Sequence, residues 1–153
     1  MTQNKNVDFG IVAVGLVVSD IKESERFYTD LLGMIPVGEF ELDNVWAKEA
    51  GASNGHPFSV KMFKLVDGDY ATVLKLAYFD SVQPMSNKSG INSSAGVNYL
   101  TFYYSHEGFQ QVLERLKIDG REPIGWVKRD TYQLVFFKDP DGVFIELVGP
   151  PDK

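Results

Sequence analysis

Apolar positions along this chain switch between two periods, and the switches mark its elements. Ile11 to Val18 is a β-branched run and predicts a buried strand. Asp20, followed by Glu23, predicts a capping box at the start of a helix. Ser24, Phe27, Tyr28, Leu31 and Leu32 share one face of that helix, and Gly33 ends it. Ile35 to Leu42 reads as a second strand. Residues 43–57 carry the breakers Asn44, Gly51, Asn54, Gly55 and Pro57 and read as irregular. Phe58 to Val66 and Tyr70 to Phe79 predict two more strands, with Asp67-Gly68-Asp69 as the hairpin turn between them.

The same order then starts again. Val97 to Tyr104 predicts a strand. Ser105 caps a helix whose apolar face is Phe109, Val112, Leu113 and Leu116, ended by Asp119-Gly120. Three strands follow at about 122–128, 131–138 and 143–148. Asp139-Pro140-Asp141-Gly142 has the chemistry of a tight turn, with Pro second and Gly fourth. Strand–helix–strand–strand–strand is thus written twice. The expected organisation is one domain over 1–153, with module one at about 8–80, a Ser- and Asn-rich linker at about 81–96, and module two at about 97–150. The expected fold is α+β: paired βαβββ modules forming curved mixed sheets around a cleft, with helices outside.

Composition narrows the chemistry. The 153 residues are 44% hydrophobic and 24% charged, ordinary for a chain that buries a core. Fifteen Lys and Arg against 21 Asp and Glu leave a net charge of −6, which argues against nucleic acid and anionic membranes as partners. The absence of cysteine excludes disulfides, thiolate metal sites and a Cys nucleophile. His56 and His106 are the only histidines, too scattered for a Ser-His-Asp arrangement. The start of the sequence has no continuous apolar run and Ile11 to Val18 is too short to span a bilayer, so a cytoplasmic location is expected. No phosphate-binding Gly-rich loop and no basic aromatic platform for RNA is evident.

Two segments carry a resemblance. Gly15-Leu16-Val17-Val18-Ser19-Asp20 followed by Phe27-Tyr28-Thr29-Asp30-Leu31-Leu32-Gly33, together with Asp139-Pro140-Asp141-Gly142-Val143-Phe144-Ile145-Glu146-Leu147, resemble the vicinal oxygen chelate superfamily. That group includes glyoxalase I, methylmalonyl-CoA epimerase, extradiol dioxygenases and the bleomycin- and fosfomycin-resistance proteins. The resemblance implies a homodimer and four metal-ligand positions. The first, usually His, is Ala13 here, and the second, usually Glu, is Lys75 within Leu74-Lys75-Leu76. The third, usually His, matches Tyr99, with Asn98 one register away, and the fourth is Glu146, the only retained family ligand. One carboxylate beside an ammonium is a poor set for a divalent ion. No cofactor is therefore expected, with a divalent metal as the alternative.

Side chains alternate along a strand. If Lys75 and Glu146 face the cleft, Ala13, Gly15, Val17, Val73 and Ala77 join them, as do Tyr99, Thr101, Tyr103, Phe144 and Val148. Lys75 and Glu146 then form either a structural ion pair or a substrate-orienting or acid/base pair, which makes them the catalytic candidates. Lys75, Tyr99, Thr101, Tyr103, Phe144, Glu146 and the loop residue His56 are the candidate ligand-binding residues. Trp46 and Trp126 read as core or interface groups, with stacking on a flat ligand as the alternative, and one of each pair Met62/Phe63 and Phe136/Phe137 faces the cleft.

The leading expectation is metal-independent binding of a small apolar or aromatic molecule, similar to the drug-sequestering resistance proteins. The alternatives are a glyoxalase-like lyase or isomerase with a rearranged divalent-metal site built from Glu146, Tyr99 and His56, and a structural or regulatory dimer with a vestigial cleft.

Overall fold

The computed structural model describes residues 7–83 and 89–153. The first six residues and part of the predicted linker at 81–96 lie outside the described residues. The elements run β1 (Ala13–Val17), α1 (Ile21–Arg26), a π-helical turn (Phe27–Leu31), β2 (Ile35–Leu42), α2 (Asn44–Ala50), β3 (Phe58–Lys64), β4 (Val73–Tyr78), β5 (Tyr99–Tyr103), α3 (His106–Ile118), β6 (Gly125–Lys128), β7 (Gln133–Lys138) and β8 (Phe144–Gly149). They form an α+β fold with two four-stranded mixed sheets, ordered β1-β4-β3-β2 and β5-β8-β7-β6. In each sheet the first and last strands of the repeat pair in parallel and the other neighbours are antiparallel. Among the described residues no helix is long and apolar enough to cross a membrane.

The compact units follow the sheets rather than the halves of the sequence. One unit is Met1–Val17 with Met34–Phe79; the other is Val18–Gly33 with Asp80–Lys153. The first helix and its π-helical turn therefore group with the second sheet.

Within that second unit the repeat's turn residues act as a brace. The buried Asp139 carboxylate accepts from the backbone N–H groups of Asp141 (2.9 Å) and Val143 (2.8 Å), and from the Tyr28 hydroxyl (2.7 Å). Asp141 in turn accepts from the Ser19 backbone N–H at 3.1 Å and from the Ser19 hydroxyl. Arg26 donates to Asp119 at 2.9 Å, at the end of α3. Phe109, Val112 and Leu116 bury one face of α3, which packs on β8. Gly149 makes the close approach possible, since a Cβ there would meet the Phe109 ring at 2.6 Å.

Four local expectations need correction. Residues 43–57 are not wholly irregular, because Asp43 caps α2 through the Trp46 N–H at 2.9 Å and Gly51 closes it at φ 70°. Gly51, one of the breakers there, is the helix's own stop signal, and Asp43 is its start. The capping box is half-made: Asp20 accepts from the N–H groups of Lys22 and Glu23, but the Glu23 carboxylate turns to Arg26 instead. The hairpin after β3 is not a tight turn, since pairing stops at Lys64 and resumes at Val73. Lys64 Nζ holds that connection by donating to the Gly68 carbonyl at 2.7 Å. The first strand is also shorter than the apolar run, starting at Ala13.

Candidate functional site

Register decides which side chains share a face, because directly paired residues lie on the same side of a sheet. In the first sheet Lys75 pairs with Gly15 on one side and Met62 on the other, and Met62 pairs with Gly38. In the second sheet Glu146 pairs with Thr101 and Phe136, and Phe136 pairs with Gly125. The two rows, Gly15–Lys75–Met62–Gly38 and Thr101–Glu146–Phe136–Gly125, are the same place in the two copies of the repeat. Ala13 and Tyr99 are equivalent too, paired with Val73 and Phe144.

In the first unit, Lys75 is half-buried. A methyl group added at Gly15 would meet nothing within 4 Å, so its β1 flank is open. The Met62 methyl covers Gly38 on the other flank, 2.9 Å from where a Cβ would stand. Four residues further along, at Phe58 and Phe79, the face becomes aromatic. Phe58 stacks on Phe79 with centroids 4.9 Å apart, and Trp46 meets Phe58 edge-on at 6.0 Å. Phe63, fully buried, faces the opposite way, so Met62 is the member of that pair on the Lys75 side. His56 lies exposed in the loop after α2, its backbone bonded to Ser53 in both directions.

In the second unit, Glu146 is half-buried and its Oε1 accepts from the Thr101 hydroxyl at 2.8 Å. Phe144 is buried, meets Phe136 edge-on and carries the Lys138 ammonium 5.0 Å above its ring. Tyr99 shares this face at the diagonal position to Glu146 and is 48% exposed. Tyr103, at the end of β5, is 73% exposed. Phe137 faces the opposite side and is buried. Trp126 donates through its indole N–H to Gln133, which is itself tied to Pro150 and Asp152, so that ring is a fixed part of its sheet edge.

The paired repeat has counterparts among known proteins. Residues 10–147 match the model of one family. The chain belongs to the Glyoxalase/Bleomycin resistance protein/Dioxygenase superfamily. No curated protein matches it. Among solved structures, a glyoxalase family protein from Bacillus cereus is 19% identical, with a TM-score of 0.77 over 99% of this chain and 100% of that one. The Leishmania major glyoxalase I, described as trypanothione-dependent, is 18% identical, with a TM-score of 0.65 over 93% of this chain and 87% of that one. A fosfomycin resistance protein from Listeria monocytogenes, bound to Mn(II) and a dihydroxypropylphosphonic acid, is 16% identical, with a TM-score of 0.61 over 92% of each chain. At such identities the likeness shows the fold.

Superfamily members often use a divalent metal, so the donor set here matters. The positions that the resemblance singles out offer a methyl (Ala13), an ammonium (Lys75), a phenol (Tyr99) and a carboxylate already hydrogen-bonded to Thr101 (Glu146). These residues do not fit a divalent ion, which requires several anionic or imidazole donors. Among the described residues no group of three or more His, Asp or Glu side chains is placed to hold a metal.

Sequence reasoning passed over the aromatic group beside Lys75. Phe58 and Phe79 read from the sequence only as strand residues, and Trp46, a core, interface or stacking group, is not tied there to either of them. The usable signal is parity: Phe58, Val60 and Met62 alternate on one face, as do Lys75 and Ala77, and Phe79 is the next position of that alternation.

Proposed function

We propose that this superfamily member binds a small molecule with an apolar or aromatic body and does so without a metal ion. The composition of the two equivalent rows carries this reading. Each sheet presents an apolar and aromatic face with one charged group at its centre, Lys75 in one and the Thr101-bonded Glu146 in the other. Few polar groups set among apolar and aromatic ones are the general character of a small-molecule site. The proposed contacts are Lys75 on the first sheet and Tyr99, Thr101, Phe144 and Glu146 on the second, with Tyr103 and His56 at the margins. We further read the protein as a cytoplasmic homodimer. Val17, Tyr99 and Tyr103 are exposed apolar or aromatic positions on the first strand of each repeat, which supports a partner there.

The test is thermal unfolding with a panel of small aromatic compounds in the presence of a chelator. A binder at a hundred times its Kd stabilises by about 2.7 kcal/mol. The expected result is a raised Tm with some panel members, unchanged by chelator. No stabilisation by any compound until a divalent ion is added would overturn the reading.

A further inference from the structure

We infer that the ligand is an aromatic anion, a flat ring system joined by a short spacer to an acidic oxygen group, with the ring on Phe58, Phe79 and Trp46 and the anion on Lys75. This inference rests on the binding function proposed above and names the ligand class. Its basis is the distribution of charge on one face of the first sheet. By register, that face comprises positions 13, 15 and 17 of β1, 73, 75 and 77 of β4, 58, 60, 62 and 64 of β3, and 35, 38, 40 and 42 of β2. None of these is acidic, in a chain whose net charge is −6.

The nearby carboxylates of β2, Glu39 and Glu41, pair with Lys61 and Ser59 and so lie on the opposite face. Of the two cations on the Lys75 side, Lys64 is committed to the Gly68 carbonyl. Lys75 is therefore the ammonium this face offers to a ligand, with the open Gly15 flank beside it. A half-buried ammonium on an apolar face favours an anion more than a surface lysine does, because less water screens the pair.

The spacing sets the ligand's shape. Phe79, the residue just after β4, is four residues from Lys75, roughly 13 Å between Cα atoms in extended chain. A lysine side chain is long enough to reach across part of that span, which leaves a few bonds between ring and anion. Met62 and Val60 lie between them on the neighbouring strand and give the spacer an apolar floor.

Isothermal titration calorimetry of the full chain with three matched probes tests this: naphthylbutyrate, naphthylbutanol and naphthylbutylammonium. The expected order is acid tightest, alcohol about tenfold weaker and ammonium weakest. Lys75→Met should bring the acid down to the alcohol's affinity, and Lys75→Arg should keep the preference. Equal binding of acid and alcohol by the unaltered chain overturns the inference while leaving the proposed function standing. Tightest binding of the ammonium, or a preference that survives Lys75→Met, also overturns it. Binding of none of the three counts against the proposed function as well. Should Lys75→Met unfold, the three probes on the unaltered chain and on Lys75→Arg still decide.

Discussion

The two sheets share one strand order and one register, yet they are supported very differently. The second sits against α3, and its Asp139 turn is bonded to the first helical segment through Tyr28 and Ser19. The first, within its own unit, has only the short α2, and its edge strand β2 is exposed along nearly its whole length. Pro36, Gly38 and the charges Glu39 and Glu41 on that edge are the devices that keep a bare strand from pairing with another chain. A single backbone plan thus serves two purposes: one copy concentrates buried hydrogen bonds, and the other keeps an open face.

The sharpest test of that contrast is Asp139→Ala. It strands the Tyr28 hydroxyl and two backbone N–H groups in the interior, for an expected loss of about 3–5 kcal/mol in urea unfolding. Asp139→Asn keeps an oxygen for the backbone and an amide for Tyr28, so it should lose clearly less. An equal loss from both would mean that the brace is not made by these bonds. Next comes Gly149→Ala, where the added methyl meets the Phe109 ring of a packed interface. A fall of about 1–3 kcal/mol is expected by thermal or chemical unfolding.

Tyr28→Phe is expected to lose about 1–2 kcal/mol near neutral pH. Its pH dependence has a definite sign. Burial raises the Asp139 carboxyl, and the Tyr28 hydroxyl pulls it back down. A raised carboxyl contributes stability below its unfolded value and loses it as pH rises through the folded one. Removing the hydroxyl raises the folded value further, so the deficit of Tyr28→Phe should be full at neutral pH and shrink as Asp139 protonates. Unfolding curves at several pH values check this, and a deficit that grows toward acid would contradict it.

The smallest effect belongs to the open sheet. Gly15→Ala places a methyl in empty space at an unstrained backbone position, so stability should change by no more than about 0.5 kcal/mol. The methyl nevertheless narrows the flank of Lys75. Calorimetry with naphthylbutyrate should therefore show weakened binding in a fully stable protein.

Much of this architecture was legible in the alternation of apolar residues. Ile35–Leu42 reads as a strand and is one, and Ser105 caps its helix through the Gly108 N–H as its position suggests. The exceptions have local causes. A seven-residue helix between Asp43 and Gly51 shows too few turns for a helical period to stand out from its breakers. The π-helical turn at Phe27–Leu31 keeps the same buried residues as an α-helix and leaves no separate trace in the pattern. At the candidate site, alternation places Lys75 and Glu146 on their faces. The partners of Lys75 across the sheet, Met62 and then Gly38, depend on register, and Trp46 depends on a helix the pattern hides.

The equivalence of Lys75 and Glu146 has an evolutionary consequence. Lysine and glutamate codons differ at a single base, the first, so one mutation converts the centre of the first copy to the residue held by the second. Alanine to histidine at position 13 requires two changes. A lineage carrying this protein can therefore reverse the charge that meets a ligand in a single step while the scaffold stays as it is.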